Sequence, residues 1–260
     1  MITLSIIIPM YNEEARIGIA IRALKTYKPP AGVGIDRVIF VDDGSNDRTI
    51  SKIKDQRSKI KEILNTEVEI VSYKQNKGRG YALRTAMQEA TGDYALWLDV
   101  DMSTPLTMIQ KCMPSMKNRI PVIIGSRKIQ GADVSVRQPL YRILLGQAFS
   151  KLSGIFLGVP VGDFTCGFKM FSRNAYQTIF PKTTINGWGN DSETLFLAQK
   201  FGFDIAEIPI HWENDPRTKV KVVRDIVVSL ADLWTIRMND VLNVYAKYPQ
   251  FSVAGGIESI

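Results

Sequence analysis

Two carboxylates one residue apart, Asp99 and Asp101, stand directly after the apolar run Tyr94 to Leu98. A strand buried on both faces reads as a near-continuous apolar run, so its C-terminal end is the first place where charge reaches solvent or a ligand. The pair is therefore expected at the rim of a sheet, offering carboxylate oxygens to whatever binds there. Two further clusters follow short apolar runs in the same way: Pro9-Met10-Tyr11-Asn12-Glu13 and Asp42-Asp43-Gly44-Ser45. A lone Asp-x-Asp says little, because surface turns are rich in Asp. Three clusters at strand ends of one parallel sheet converge on one crevice, and the convergence is the informative signal.

The elements that must position these groups alternate in period. After a strand from Leu4 to Pro9, the segment Glu13 to Tyr27 places Ile17, Ala20, Ile21 and Leu24 at helical spacing, with Glu13 and Glu14 in a first turn where the helix dipole favours acids. Val38 to Val41 forms a second strand, and Ser45 or Asn46 is a candidate cap for a helix carrying Ile50, Ile53 and Ile60. Strands follow at Val68 to Tyr73, Tyr94 to Leu98 and Val122 to Ile124, with a helix through Ala82, Leu83 and Ala86 between the first two. The alternation predicts an α/β fold: a mostly parallel sheet sandwiched by helices, with ligands outside the carboxyl ends of its strands. Beyond about residue 125 the pattern is less regular. It reads as helices over 139–157, 191–201 and 222–238 and strands over 168–171 and 205–211. No Ser- or Gly-rich linker intervenes, so one domain is expected over 1–239, with 1–127 and 128–239 as its halves and 240–260 as a tail.

With 260 residues and 45% apolar content the chain can bury one substantial core. Its 33 Lys and Arg against 26 Asp and Glu give a net charge of +7, which suits phosphate-bearing ligands or an anionic membrane surface, with solubility as the plain alternative. Cys112 and Cys166 have no metal-site or disulfide spacing, and a reducing cytosol is the expected home. The N-terminus enters a strand at once and shows no secretion signal. The segment Leu140 to Val161 is broken by Arg142, Gln147, Ser150, Lys151 and Pro160, so it falls short of the roughly 20 apolar residues of a membrane span, and any membrane contact is expected to be peripheral.

The stretches SIIIPMYNEE, VIFVDDGSNDRT, NKGRGYALRTAMQEATGDYALWLDVDMSTP, GSR, DFTCGFKMF and GWGNDSETL resemble, in order and spacing, the family 2 nucleotide-sugar glycosyltransferases of GT-A fold, in the branch of the dolichyl-phosphate mannose and glucose synthases. The resemblance runs from about Ile2 to Arg237. It implies a Rossmann-like GT-A sheet with acceptor-side helices toward the C-terminus, and a metal-dependent, inverting transfer of a hexose to a polyprenyl phosphate. FTCGFKMF and WGNDSETL look closer to the glucose branch, which favours UDP-glucose over GDP-mannose.

On this resemblance Asp101 is the first-choice ligand of Mg²⁺ or Mn²⁺ and Asp99 reaches the ribose or the metal shell, both counting as catalytic, since hard oxygen ligands suit the ion that neutralises a diphosphate. Pro9, Tyr11, Glu13, Val41, Asp43 and Val100 correspond to nucleoside-binding positions. Lys77 belongs to a glycine-rich turn, NKGRG, that is either a phosphate cradle at a helix N-terminus or a turn bearing solvated Lys77 and Arg79. Arg127 matches the arginine of GSR and offers phosphate a planar fork.

An acceptor that is a phosphate monoester is already mostly dianionic at neutral pH and needs cations rather than a base. Arg142 and Lys169 are the leading catalytic candidates for that role, with Arg137 and Lys219 nearby. Asp191 and Glu193 are expected to be structural or sugar-binding, with a base as the alternative. The helix over 139–157 carries more apolar surface than one core-facing stripe and suits a membrane interface or an isoprenoid tail, with core packing as the alternative. His211 is expected to be structural, and Trp188 and Trp212 either line the sugar pocket or simply pack. Where the polyprenyl enzymes usually show a glycine-serine-lysine loop, this chain reads WENDPRTKVK, so Lys219 takes the lysine's place without the glycine. The expected partners are a nucleotide sugar, a polyprenyl phosphate, the cytoplasmic face of a membrane and an anchoring membrane protein, and no nucleic acid. The rival readings are a family 2 transferase with a sugar-hydroxyl acceptor and a non-catalytic nucleotide-sugar-binding subunit. A Rossmann oxidoreductase is disfavoured because no G-x-G-x-x-G follows the first strand.

Overall fold

The computed structural model describes residues 1–136, 139–217, 222–247 and 258–259. The chain runs β1 (Ile2–Met10), α1 (Ile17–Thr26), β2 (Val33–Asp42), α2 (Thr49–Leu64), β3 (Glu67–Ser72), α3 (Arg79–Gln88) and β4 (Tyr94–Leu98), followed by α4 (Ile109–Lys117), β5 (Val122–Ser126) and β6 (Asp133–Val136). It continues through α5 (Leu140–Leu157), β7 (Phe168–Ser172), α6 (Arg173–Ile179), α7 (Asn190–Lys200), β8 (Ile205–Pro209), β9 (His211–Glu213), α8 (Val222–Val241), α9 (Val244–Lys247) and β10 (Glu258–Ser259). The main sheet has the order β10-β3-β2-β1-β4-β7-β5-β8. β3, β2, β1 and β4 are mutually parallel, as are β5 and β8.

Strand side chains alternate between the two faces, and so does the core. Leu4, Ile6, Ile8, Phe40 and Leu96 pack on the face covered by α1, α2 and α4. Ile7, Ile39, Val41 and Trp97 pack on the other face, against α3, α6 and α7. The strand order turns back between β1 and β4, a switch point where flanking connections leave in opposite directions and open a crevice at the carboxyl ends. The acidic pair follows β4 there, beside the end of β1.

β7 is the departure from parallel order. It runs antiparallel between β4 and β5, with Phe168 paired to Leu98 and Lys169 to Trp97. Its first residues consequently lie at the carboxyl end of β4, and this brings the second half of the chain into the crevice.

Several local expectations shift. Helix α1 starts at Ile17 rather than Glu13, because the Glu13 carbonyl accepts from the Arg16 and Ile17 N–H groups in a preceding turn; Glu13 and Glu14 therefore lie outside the helix. Neither Ser45 nor Asn46 caps α2: Ser45 Oγ accepts from the Asn12 N–H, and the Asn46 N–H donates to Asn12 Oδ1. The expected strand over 205–211 splits at Ile210 into β8 and β9, and β9 pairs with β6 in a separate two-stranded ribbon. The short elements α4, α6 and β6 were not apparent from periodicity. Among the described residues no helix is long and apolar enough to cross a membrane.

His211 ties the small ribbon together: Nδ1 lies 2.8 Å from Asp133 Oδ2 and Nε2 3.0 Å from Glu213 Oε1. Hydrogen bonds to Glu213 and Asp133 raise its pKa above the ordinary 6.5. A raised imidazole pKa adds stability that is fully present below about pH 6.5 and is lost as pH climbs through the folded-state value. His211→Gln should therefore lower the melting temperature at pH 6 and leave it close to wild type at pH 9; a deficit that grows with pH would contradict the pairing.

Candidate active site

The carboxyl ends of β1 and β4, the start of α3, one side of α5 and the first turns of α7 and α8 enclose a cleft of about 1020 Å³. At its floor the chain turns sharply after β4: the Met102 N–H donates to the Asp99 carbonyl, and Met102 adopts a left-handed φ of 51°. Both carboxylates line the cleft. Asp101 Oδ1 accepts from the Ser103 N–H at 3.0 Å, and Oδ2 lies 3.3 Å from Arg16 Nη1. Burial, and then the neighbouring Asp99 charge, push the Asp101 carboxyl above its usual range. Asp99 Oδ1 accepts from Arg79 Nη2 at 3.0 Å. Its other oxygen fills the space beside Gly167, where an added Cβ would lie 1.8 Å from Oδ2. Two hard oxygen donors at one rim fit Mg²⁺ or Mn²⁺, ions commonly held by one or two carboxylates with substrate phosphate completing the shell. Among the described residues no set of three acidic, His or Cys side chains forms a protein-only metal cage.

The nucleoside-side candidates divide. Pro9, Tyr11, Glu13, Asp43 and Val100 line the cleft. Glu13 takes the Arg16 guanidinium on both oxygens, at 2.7 and 2.6 Å, so its carboxylate is engaged within the protein. Asp43 is more fully engaged. Oδ1 accepts from the Tyr73 hydroxyl and the Lys77 N–H, and Oδ2 from the Asn76 amide and the Gly78 N–H, all within 2.9 Å. Burial raises its carboxyl above the usual range, and the Lys77, Tyr73 and Gly78 donors offset only part of that rise.

That arrangement corrects the phosphate-cradle reading of NKGRG. Two peptide donors of the turn, the Lys77 and Gly78 N–H groups, are bound to Asp43, and the Gly80 N–H at the start of α3 donates to the Asn186 carbonyl. Gly78, at φ +102°, sits so close to that carbonyl that a Cβ would lie 2.4 Å from it. Lys77 does not line the cleft. Its ammonium lies 4.4 Å from the Tyr81 ring centroid and 3.1 Å from the Tyr81 hydroxyl. Val41 is also displaced from its expected role: it is fully buried in the core under α3, where β-strand alternation turns it away from the cleft.

Of the acceptor-side candidates Arg142 lines the cleft from α5, and the donor-side candidate Arg127 lines it from the end of β5. Arg127 is gripped by Asp163 through Nε at 2.7 Å and Nη2 at 2.8 Å, and lies over the Trp212 ring. Burial alone would raise Asp163, but the Arg127 guanidinium holds its carboxyl well below the usual range. Lys128 also lines the cleft, with Nζ 2.6 Å from Ser150 Oγ of α5.

Lys169 does not reach the cleft as an acceptor cation. The β7 register turns it inward, where it is fully buried and its ammonium donates to the Cys166 carbonyl at 2.7 Å and Asp191 Oδ1 at 2.6 Å. Asp191, in the first turn of α7, gives its other oxygen to Arg79 Nη1 at 3.0 Å and lines the cleft. Glu193 is a structural anchor. Its oxygens accept from Thr184, the Ile185 N–H and the Tyr245 hydroxyl, and burial raises its carboxyl. Arg137 and Lys219 lie outside the described residues.

Sequence reasoning overlooked Arg16, Asp163 and Gly167, and it did not see that Arg79 bridges Asp99 and Asp191. The available signals were slight: Arg16 three residues after Glu13, and an acid and a glycine inside the apolar stretch VGDFTCGF.

An acidic pair at a sheet switch point, flanked by anchored guanidinium groups, on a parallel sheet crossed by one antiparallel strand, defines a protein of the nucleotide-sugar glycosyltransferase class. The profile of glycosyl transferase family 2 matches residues 5–180. The chain is 32% identical to the dolichyl-phosphate beta-glucosyltransferase of Saccharomyces cerevisiae, over 94% of this chain and 77% of that protein. It is 29% identical to the Homo sapiens dolichyl-phosphate beta-glucosyltransferase, over 84% and 69%. In fold it is similar to the Mycobacterium tuberculosis glucosyl-3-phosphoglycerate synthase solved with Mn²⁺, UDP-glucose and glycerol 3-phosphate, with a TM-score of 0.65 at 20% identity, covering 90% of this chain and 80% of that one. The chain belongs to glycosyl transferase family 2, and its sheet is that of the GT-A fold.

The Gly167 contact gives a direct test of the site geometry. Gly167→Ala should push Asp99 off its position, reducing sugar transfer by about 100-fold, the scale of a 1 Å misplacement at a reacting centre. Thermal unfolding should change little. Unchanged turnover in the variant would show that the position of Asp99 does not matter.

Proposed function

We propose that the chain transfers glucose from UDP-glucose to a polyprenyl phosphate of the dolichyl type, inverting the anomeric centre in a single displacement. The observation that carries this reading is the similarity over nearly the whole chain to dolichyl-phosphate beta-glucosyltransferases. The cleft supports it chemically: a carboxylate pair lies at one end, and Arg127, Lys128 and Arg142 supply positive charge around it.

In the proposed reaction a phosphate oxygen of the acceptor attacks the anomeric carbon while the bond to the nucleoside diphosphate breaks, and the electron pair leaves with UDP. Asp101 and Asp99 would hold Mg²⁺ or Mn²⁺, which supplies Lewis-acid neutralisation of the departing diphosphate. Arg142 and Lys128 hold the acceptor phosphate, and Arg127, fixed by Asp163, keeps a cation at the β5 end. A hydroxyl acceptor would need a base, and the two acids for which that role is the alternative are engaged elsewhere: Glu193 with Thr184, Ile185 and Tyr245, and Asp191 with Lys169 and Arg79. The halves 1–127 and 128–239 then take donor and acceptor respectively.

The exposed faces of α5 and α8 favour a lipid-borne acceptor at the cytoplasmic face of a membrane. Leu144 and Ile155 of α5 and Val227, Trp234 and Val241 of α8 are more than half exposed. The helices meet where Phe156 and Trp234 stack at 6.3 Å, and their inner sides line the cleft. Apolar side chains on two adjoining helices beside a cationic cleft suit peripheral binding to an anionic bilayer, consistent with the net charge of +7.

The test is a donor panel, UDP-glucose and GDP-mannose, incubated with Mn²⁺ or Mg²⁺ and one short polyprenyl phosphate, with the lipid product identified by mass. The glucosylated lipid is expected, and turnover of neither donor would overturn the reading. Arg142→Ala should raise KM for the lipid by about tenfold, the loss of one charge-assisted contact, and leave UDP affinity intact. Equal loss of both would contradict the division of the site.

A further inference from the structure

The two carboxylates after β4 are each hydrogen-bonded by a guanidinium, and the two guanidinium groups are held alike. Arg16 sets Nε and Nη2 on Glu13 at 2.7 and 2.6 Å and reaches Asp101 with Nη1 at 3.3 Å. Arg79 sets Nη1 on Asp191 and reaches Asp99 with Nη2, both at 3.0 Å. In both cases the carboxylate remote from β4 is a buried anchor. Glu13 is 6% exposed, and Asp191, equally buried, is held from behind by the fully buried Lys169. Arg79 is further fixed beside the Trp97 and Trp188 rings, at 5.6 and 5.3 Å from their centroids. Each arginine thus has one firmly anchored contact and one contact with the pair that faces the cleft.

The cleft-facing contacts occupy one oxygen of each carboxylate, Oδ2 of Asp101 and Oδ1 of Asp99, and carboxylate oxygens are the ligands a hard divalent cation takes. A cation and a guanidinium N–H compete for the same lone pairs on Asp99, and on Asp101. An arginine that loses this contact remains tethered by its anchor, with a released N–H at the cleft and a fork suited to phosphate oxygens.

We infer that Arg16 and Arg79 are positioning residues that change partners during donor binding: each yields Asp101 or Asp99 to the divalent cation, stays anchored on Glu13 or Asp191, and turns its released N–H to the donor diphosphate. The inference rests on the donor reading above and adds to it the residues that prepare the carboxylate pair. It also explains why buried Lys169 lies behind Asp191: the anchor must keep its place while Arg79 alters its second contact.

Mn²⁺ alone, and UDP in saturating Mn²⁺, are titrated by calorimetry into wild type, Arg79→Gln and Arg79→Lys, with melting temperatures as the check on folding. The exchange requires effects of opposite sign. Arg79→Gln should bind Mn²⁺ alone about tenfold more tightly, because no guanidinium competes for Asp99, and should bind UDP with Mn²⁺ about tenfold more weakly. Arg79→Lys keeps the charge without the fork and should recover part of the UDP affinity. Parallel loss of both affinities would mark Arg79 as a structural support only and overturn the inference, as would no change in either. Should Arg79→Gln fail to fold, Arg79→Lys is expected to show the same signs at smaller size, and their absence would also overturn it. Wild type that takes up neither Mn²⁺ nor UDP would overturn the donor reading itself, and the inference with it.

Discussion

Two acidic side chains stand at i and i+2 after one strand, Asp101 losing hydration beside the charge of Asp99 in one cleft, and the rest of the site is arranged around that difficulty. The raised Asp101 carboxyl is its direct expression, with burial the first cause and Asp99 a further one. The protein meets it with guanidinium groups from two directions, Arg16 from the turn before α1 and Arg79 from the first residue of α3. Each brings a further acid, so the site becomes a chain of alternating charges rather than one isolated pair. A buried ion pair is costly to desolvate and costly to break, so such a chain fixes geometry more than it adds stability.

The antiparallel insertion of β7 joins this chain to the second half of the protein. Pairing β7 with β4 places Gly167 against Asp99 and turns Lys169 inward toward Asp191. The side chain that Gly167 lacks leaves room for the carboxylate, and the lysine supports the acid that anchors Arg79. Elements from the first and second halves of the chain therefore share one electrostatic network. On the far side α5 and α8 line the cleft with one face and leave apolar side chains in solvent with the other, so the chemistry lies directly beside the surface proposed to meet lipid.

Much of this was legible in the sequence because strand-end position follows from pattern. Apolar runs ending in Pro9 to Glu13, Asp42 to Ser45 and Asp99 to Asp101 place those groups at one sheet edge, and five of the six nucleoside-side candidates do line the cleft. The sixth, Val41, lies one residue inside the strand end, where the period of two sends it into the core. Partner choice was not legible. Nothing in NKGRG reveals that Asp43 occupies two peptide donors of the turn, or that Lys77 turns toward Tyr81 while Arg79, two residues on, spans two acids. Lys169 was misplaced for the same reason: its spacing in CGFKMF is compatible with either face of β7, and only the pairing with β4 and β5 decides between them.

Asp99 and Asp101 are proposed to hold a divalent cation on which donor binding depends. Calorimetric titration of UDP into wild type and Asp101→Asn, each with Mn²⁺ and with chelator, tests it most directly. Wild type should lose affinity in chelator by at least about tenfold, or ~1.4 kcal/mol, and Asp101→Asn should be equally weak in both conditions while melting near the wild-type temperature. UDP bound with undiminished affinity by chelator-treated wild type, or by Asp101→Asn in Mn²⁺, would contradict it.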